Sequence, residues 1–209
     1  MNIIFDFDGT IADSKDYILE IYNSIASKSN RPGISRETFD NMARMSIYER
    51  FKAFNTTLFE VTKIYSEIEK HYYEKAEDLD LFHGIKELIE KLSLENRLYV
   101  LSTNTKRIIR RVLEKYSIIG YFEKLYTNKN LLGKAGSLKR IIKTNQLRIS
   151  DTIYIGDEER DALASKKAGI RFIAVSWGFD SKELLESAGS EKVADEPGDL
   201  IEIIHGLGI

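Results

Sequence analysis

Two aspartates two positions apart, Asp6 and Asp8, directly follow a short apolar segment at the start of the chain. Strand-like spacing would point both carboxylates to one side, and two acids in one small volume are costly unless a cation neutralises them. An oxygen-only cluster of this kind suits Mg²⁺ better than a softer metal. Gly9 permits a tight turn, and Thr10 can hydrogen-bond across it. The run predicts a magnesium site, although a strand followed by an Asp-rich turn explains these residues equally well.

Polar residues follow a second apolar segment as the run Ser102, Thr103 and Asn104. Hydroxyl and amide groups, together with neighbouring backbone N–H groups, can hold phosphate oxygens without adding charge. The same residue types also begin helices, because their side chains accept hydrogen bonds from the first free N–H groups. The segment is therefore either a phosphate-binding loop or a helix N-cap.

Two later segments add a cation and two further acids. Lys134 precedes a helical pattern that we expect to begin near Ser137. Asp157 follows a third apolar segment and is a natural metal ligand, while Asp161 could contribute directly, through water, or only by holding its loop. A lone lysine is usually solvated, and acids are common at a helix N-terminus. These residues gain meaning only if the fold brings them to the first two aspartates.

The pattern of short apolar segments predicts how these residues are positioned. Segments bounded by turn or polar residues at 2–5, 98–102, 152–155 and 171–175 have the length and composition of buried parallel strands. Helical periodicity of the apolar residues lies between them. This alternation predicts an α/β fold with a doubly wound, mainly parallel, Rossmann-like sheet. Ligands bind at the carboxyl ends of such strands, so the polar segments should meet there.

One stretch departs from this alternation. Residues 14–81 contain no convincing strand, only helical patterns such as that of Ile64, Ile68 and Tyr72. We therefore predict a small all-helical cap domain over this stretch, inserted into a core domain formed by 1–13 and 82–209. Tyr72 and the tyrosines near it are expected to pack the cap helices against one another.

Taken in order, the four polar segments resemble the motifs of the haloacid dehalogenase superfamily, in its phosphoglycolate phosphatase-like branch. Residues 6–14 are similar to the first motif, Thr103-Asn104 to the second, Lys134 to the third, and the segment from Asp157 to Asp161 to the fourth. The resemblance spans nearly the whole chain, and the predicted helical insertion falls where this family carries a mobile cap.

The resemblance implies an enzyme, a Mg²⁺-dependent phosphatase that hydrolyses a small phosphate monoester, such as a phosphoglycolate-like compound or a sugar phosphate. Asp6 would be the nucleophile that forms an aspartyl-phosphate. Asp8 would protonate the leaving oxygen and then deprotonate the attacking water. An acid at position 8 suits release of an alcohol and argues against dehalogenase chemistry.

The family also implies which residues bind the metal and the phosphate. The metal ligands would be Asp6, the backbone carbonyl of Asp8, and Asp157. The phosphate-binding residues would be Thr103, Asn104, Lys134 and Gly9, of which Thr103 and Lys134 would also take part in catalysis. Supporting roles would fall to Asp161 and Thr10.

Substrate choice would depend on the cap, which closes over the site and excludes bulk water in this family. Arg44 and Arg50 are the cap residues that could meet a carboxylate or second phosphate of the substrate, although an arginine on an amphipathic helix usually lies on a solvated face. The sequence departs from the family after Lys134, where Ala135-Gly136-Ser137 replaces a segment that commonly carries prolines. We therefore expect a less rigid loop there.

Composition narrows the range of partners. The 209 residues carry a formal net charge of -2, without the surplus of lysine and arginine that binds nucleic acid backbones. No apolar run approaches the ~18 residues of a membrane span, and the absence of cysteine fits a reducing compartment. We expect a cytoplasmic monomer or homodimer whose partner is a small phosphorylated metabolite, not nucleic acid or a membrane.

Three alternative functions share parts of this chemistry. A phosphomutase of the β-phosphoglucomutase type uses the same aspartyl-phosphate but returns the phosphoryl group to a sugar, and the sequence does not separate it firmly from a phosphatase. A receiver-like signalling protein also phosphorylates an aspartate, but typically at the end of a middle strand and without an inserted cap. A non-catalytic relative that only binds phosphorylated ligands is not favoured, because the acids, Thr103 and Lys134 are all present.

Overall fold

The computed structural model describes residues 1–28, 32–53, 72, 78–128, 130 and 132–207. Its strands are β1 (Asn2–Phe5), β2 (Ala12–Asp13), β3 (Asp80–Leu81), β4 (Arg97–Ser102), β5 (Phe122–Thr127), β6 (Thr152–Gly156), β7 (Arg171–Val175) and β8 (Lys192–Ala194). Six of these strands form one sheet in the order β5-β4-β1-β6-β7-β8. Every pairing in that sheet is parallel.

The helices of the described residues are α1 (Lys15–Lys28), α2 (Arg36–Met42), α3 (Ile47–Ala53), α4 (Ile85–Ser93), α5 (Lys106–Lys115), α6 (Lys134–Thr144), α7 (Glu159–Ala168), α8 (Lys182–Ser187) and α9 (Asp199–Gly206). Those from α4 onward cover both faces of the sheet. Buried side chains of α4, α5 and α9 belong to the core on one face. Those of α6, α7 and α8 belong to the core on the other face. The predicted doubly wound α/β fold is confirmed.

The strand β1 lies at the centre of the sheet, between β4 and β6. Because successive side chains of a strand point to opposite faces, Ile3 and Phe5 enter one core and Ile4 enters the other. Residues of a strand that is buried on both faces are apolar, as Ile3, Ile4 and Phe5 of β1 show. Its carboxyl end delivers Asp6 to the middle of the sheet edge.

The inserted stretch contains α1, α2 and α3, as the sequence predicts, together with a short strand that the sequence analysis missed. Asp80 and Leu81 form β3 and pair antiparallel with β2, so that Ala12 lies opposite Leu81. Two residues are too few for the apolar alternation of a strand to be recognised. The pair joins the two points at which the chain leaves and re-enters the sheet domain. The helical pattern expected at Ile64 and Ile68 lies outside the described residues.

The turn between α2 and α3 packs against the loop that follows β7. The backbone N–H of Ser181 donates to the carbonyl of Ala43 at 2.7 Å. The rings of Phe39 and Phe179 meet edge to face, with centroids 6.4 Å apart. These contacts hold the inserted helices against the carboxyl edge of the sheet. None of the helices in the described part of the chain combines the length and apolar composition that a bilayer crossing needs.

Candidate active site

The end of β1 and the first turns of α6 and α7 bring Asp6, Lys134 and Asp161 into direct contact. The Lys134 Nζ atom lies 2.5 Å from Asp6 Oδ2 and 2.7 Å from Asp161 Oδ1. All three side chains are almost completely buried, with 2%, 4% and 0% exposure for Lys134, Asp6 and Asp161. The other oxygen of Asp6, Oδ1, accepts a hydrogen bond from the backbone N–H of Phe7 at 2.8 Å. The nucleophile predicted from sequence is therefore held at both oxygens.

Asp157 joins this cluster from the end of β6. Its Oδ1 accepts a hydrogen bond from the Thr10 hydroxyl at 2.7 Å, and its Oδ2 accepts one from the backbone N–H of Phe179 at 2.8 Å. Two glycines leave the room that this carboxylate occupies. A Cβ atom would lie 2.1 Å from Asp157 Oδ2 if built on Gly9, and 2.3 Å from it if built on Gly178. Gly9 also has φ of +75°, which favours glycine.

Asp6, Asp157 and Asp161 can each offer one oxygen to a common centre, because these three atoms lie within 4.8 Å of one another. Oδ2 of Asp161 is buried and has no hydrogen-bond partner among the described residues. A buried carboxylate oxygen left in this state is unfavourable unless another group satisfies it. Hard oxygen ligands in a buried acidic cluster are the donor set that Mg²⁺ prefers. The residues present therefore fit a magnesium ion.

The electrostatics of the cluster point the same way. Burial raises the pKa of Asp6 to about 8, although the charge of Lys134 opposes the change. Burial and the neighbouring charge of Glu158 raise the pKa of Asp157 well above its ordinary value. Burial would lower the pKa of Lys134, but Asp161 and Asp6 outweigh that effect and raise it, so the lysine remains a cation. One lysine does not balance three buried acids, and an added cation would stabilise their charged forms.

Asp8 lies beside the cluster and is partly exposed. The Nδ2 atom of Asn104 donates to its Oδ2 at 3.1 Å, and the hydroxyl of Tyr72 donates to its Oδ1. Burial raises the pKa of Asp8, while the hydrogen bonds from Tyr72 and Asn104 oppose that rise. The carboxyl group predicted to act as acid and base is thus held by one donor that follows β4 and one from the inserted stretch.

The second motif lies between the end of β4 and the residue that caps α5. Thr103 is partly buried one residue after the end of β4, while Thr105 is the N-cap of α5 and accepts from the N–H of Ile108. Asn104 is oriented by its own backbone surroundings, because its Oδ1 accepts from the N–H of Thr105 at 2.8 Å. The N-cap is therefore one residue past the run Ser102-Thr103-Asn104, and the run itself presents Asn104 to Asp8.

The third motif differs from expectation in its local structure. The helix α6 begins at Lys134, three residues before the predicted start near Ser137, so the lysine lies in the first turn of a helix. The loop before it is braced by asparagines. Asn128 Oδ1 accepts from the N–H of Asn130 at 3.0 Å, and Asn130 Oδ1 accepts from the N–H of Leu132 at 3.1 Å. These side chains hold the approach to the lysine. The expectation of a less rigid loop at Ala135-Gly136-Ser137 is wrong, because these residues belong to α6.

The two candidate specificity arginines lie in different surroundings. Arg44 is exposed in the turn after α2. The guanidinium of Arg50 donates to Asp180 and lies 4.0 Å from Glu158, with its side chain only 14% exposed. Asp180 in turn accepts from the backbone N–H of Glu159 at 2.6 Å. Arg50 therefore joins α3 to the segment that carries the fourth motif.

Sequence reasoning missed three residues of this site. Tyr72 was expected only to pack cap helices, yet its hydroxyl reaches Asp8. Gly178 and Phe179 shape and hold Asp157, although they lie in a later loop. The segment 175–179 resembles one that follows the fourth motif in this family, but no local pattern assigns a site role to these three residues, because each acts on a partner at least 21 residues away in sequence.

Comparison with known proteins agrees with this geometry. The sequence profile of the haloacid dehalogenase-like hydrolases matches residues 3–175. A phosphoglycolate phosphatase from Synechococcus elongatus is 24% identical over 206 residues, covering 98% of this chain and 97% of that protein. A pyrophosphatase PpaX from Bacillus mycoides is 18% identical over 210 residues, covering 98% and 97%. A solved Clostridium acetobutylicum structure, described as a predicted phosphatase, superposes with a TM-score of 0.85 at 20% identity over 98% of each chain. The chain therefore belongs to the haloacid dehalogenase-like hydrolase family, as the order of its four motifs predicted.

Proposed function

We propose that the protein is a Mg²⁺-dependent phosphatase that hydrolyses a small phosphate monoester through an aspartyl-phosphate on Asp6. The observation that carries the proposal is the buried contact between Asp6 and Lys134, in which the lysine nitrogen lies 2.5 Å from a carboxylate oxygen. Two further acids, Asp157 and Asp161, lie beside this pair. A carboxylate fixed at both oxygens and paired with a permanent cation is oriented for attack on a phosphorus atom.

The reaction would proceed in two displacements. Asp6 attacks phosphorus and the bond from phosphorus to the leaving oxygen breaks, while Asp8 supplies a proton to that oxygen. Asp8, now a carboxylate, takes a proton from water, and the water oxygen attacks the aspartyl-phosphate and releases phosphate and Asp6. Asp6 and Asp8 have different roles in these steps and therefore need different surroundings. Asp6 contacts Lys134, whereas Asp8 contacts Asn104.

Phosphate oxygens would be held by Lys134, by the hydroxyl of Thr103, by Asn104 and by the backbone at Gly9. These groups would stabilise the charge that develops on the phosphoryl oxygens. Asp6, the backbone carbonyl of Asp8 and Asp157 would hold Mg²⁺, with Asp161 and Thr10 supporting them. When bound, the ion would offset the charge of the acids and of the phosphate.

The substrate class rests on the relatives and on the site. The names of two relatives specify phosphoglycolate and pyrophosphate as their substrates, so a small phosphorylated metabolite is the substrate class that we propose. The inserted helices, which we assign to a cap domain over 14–81, lie against the loop after β7. A cap in this position would close over a small substrate and exclude water from the site.

The test is a panel of phosphate monoesters assayed with Mg²⁺ and with EDTA, using the wild type, Asp6→Asn and the control Asp16→Asn. Asp16 is a surface aspartate whose side chain is 78% exposed. We expect Mg²⁺-dependent phosphate release by the wild type and the control, and a loss of more than about 1,000-fold for Asp6→Asn, because the nucleophile is removed. Wild-type protein that releases phosphate from none of the esters, or an Asp6→Asn variant as active as the control, would refute the proposal.

A further inference from the structure

Asp8 receives hydrogen bonds from two separate parts of the molecule. Asn104 lies just after the core strand β4 and donates to Oδ2 at 3.1 Å. Tyr72 belongs to the inserted stretch and donates to Oδ1. The contact therefore links the inserted stretch to an acid that the proposed reaction uses.

The ring of Tyr72 is firmly packed. Its side chain is 2% exposed, and its ring meets that of Tyr17 edge to face with centroids 4.8 Å apart. The hydroxyl of Tyr17 also donates to the backbone carbonyl of Tyr72 at 3.5 Å. Because Tyr17 lies in α1, the position of the Tyr72 hydroxyl is set by the packing of the inserted stretch itself.

The Tyr72 hydroxyl is the donor in its contact with Asp8, because a carboxylate oxygen can only accept. A neutral phenol that donates to one carboxyl oxygen fixes the rotation of that carboxyl group and occupies a lone pair on the oxygen. Among the described residues, Oδ1 accepts from both Tyr72 and Asn104, whereas Oδ2 accepts from Asn104 alone. One lone pair of Oδ2 is therefore left to carry the proton that Asp8 exchanges.

We propose that Tyr72 is a positioning residue for the acid–base step: it fixes Asp8 so that Oδ2 delivers a proton to the leaving oxygen. The inference rests on the proposed phosphatase function. As the bond from phosphorus to the leaving oxygen breaks, its electron pair stays on that oxygen and takes the proton from Asp8. Tyr72 keeps its own proton throughout and exchanges none with the substrate.

The dependence on the leaving group tests this role. A 4-nitrophenolate ion leaves without protonation, whereas a benzyl alkoxide needs a proton from a general acid. Tyr72→Phe removes only the hydroxyl oxygen and keeps the ring. We expect this variant to lose about 10- to 100-fold in kcat on benzyl phosphate and less than about threefold on 4-nitrophenyl phosphate, because general acid catalysis contributes mainly to the first substrate. The KM for each ester should change little.

Tyr99→Phe is the matched control. The Tyr99 hydroxyl is also buried, and it has no hydrogen-bond partner among the described residues, so its removal should leave both rates unchanged. A second measurement repeats Tyr72→Phe in an Asp8→Asn background, where no acid remains to be positioned. There the tyrosine substitution should have no further effect on benzyl phosphate, since a residue that acts through Asp8 is not additive with it.

The outcomes separate this inference from the proposed function. The role of Tyr72 would be overturned if the wild type hydrolyses both esters and Tyr72→Phe loses the same factor on each, or loses nothing. That result would leave the phosphatase proposal intact. A full additional loss in the Asp8→Asn background would also overturn it. A wild type that releases phosphate from neither ester would refute the phosphatase proposal and this inference with it. A loss confined to benzyl phosphate and absent in the Asp8→Asn background would establish the role.

Discussion

Replacing Gly178 with alanine should damage the acidic cluster from outside the four motifs. A Cβ atom at this position would lie 2.3 Å from both Cβ and Oδ2 of Asp157 and 2.5 Å from its Cγ. Rotation of the carboxylate cannot relieve the contact, because the Cβ of Asp157 is itself too close. Either the loop at Gly178 or the aspartate must move.

The expected loss of stability follows from the contacts that this movement breaks. Non-bonded carbon atoms pack best at about 3.5–4.0 Å, so the two residues must separate by more than about 1 Å. Overpacking of a buried site costs about 1–3 kcal/mol, and loss of one hydrogen bond to a charged group costs about 1.5–3 kcal/mol. Asp157 has two such bonds, from Thr10 and Phe179. We expect Gly178→Ala to lower the free energy of unfolding by about 3 kcal/mol and Tm by about 6–12 °C.

Thermal unfolding in EDTA measures this effect without any assumption about catalysis. Gly206→Ala is the control, because a Cβ there meets nothing within 4 Å and the residue ends α9. We expect the control to melt at the wild-type temperature or slightly above it. In a Mg²⁺ titration of the melt, Gly178→Ala should also need about 10-fold more metal for the same shift, as expected when ligand geometry is disturbed. Equal melting of the wild type and Gly178→Ala would refute the packing argument.

Two further predictions concern the ion pair between α3 and the loop after β7. Burial and the charge of Glu158 raise the pKa of Asp180 to about 6, against the opposing effect of Arg50, from an ordinary value of 3.8. Between these two pH values the folded protein keeps a proton on Asp180 that the unfolded chain releases. The stabilisation from Asp180 is therefore complete below pH 3.8 and is lost as pH rises through about 6. In urea unfolding, the stability difference between wild type and Asp180→Asn should change over that window, and parallel profiles would contradict the assignment. Arg50→Ala should lower the free energy of unfolding by about 2 kcal/mol. The control Arg36→Ala breaks an ion pair whose side chains are 51% and 78% exposed, and it should lower that free energy by less than about 0.5 kcal/mol. Equal losses would show that the Arg50 pair stabilises the fold no more than a surface pair does.

The centre of the sheet could be predicted from the sequence because its strands are buried on both faces. The strands β1, β4, β6 and β7 are almost entirely apolar, and each ends in a polar or glycine-containing segment. The edge strands β5 and β8 were missed. Their burial is incomplete, and sequences that mix polar and apolar residues resemble loops or helices as much as strands.

The acidic cluster was predictable for the same geometrical reason. Asp6 and Asp157 follow neighbouring parallel strands in register, with Phe5 opposite Ile155, so their proximity follows from the strand order. The contact between Tyr72 and Asp8 has no such basis, because it spans 64 residues and crosses between the inserted stretch and the sheet domain. It depends on how two packed units meet, which periodicity within either unit does not encode.

The small pair of β2 and β3 has a consequence for how this protein can change over evolution. Ala12 lies opposite Leu81 and Asp13 opposite Asp80, so the intervening stretch leaves and returns at one point. The entropy of closing such an excursion grows only with the logarithm of its length, by about 0.6 kcal/mol for each doubling. Helices can therefore be added or removed between these two strands with little effect on the stability of the sheet. The helices between these strands can diversify in number and length, while the aspartates at the sheet edge keep their positions.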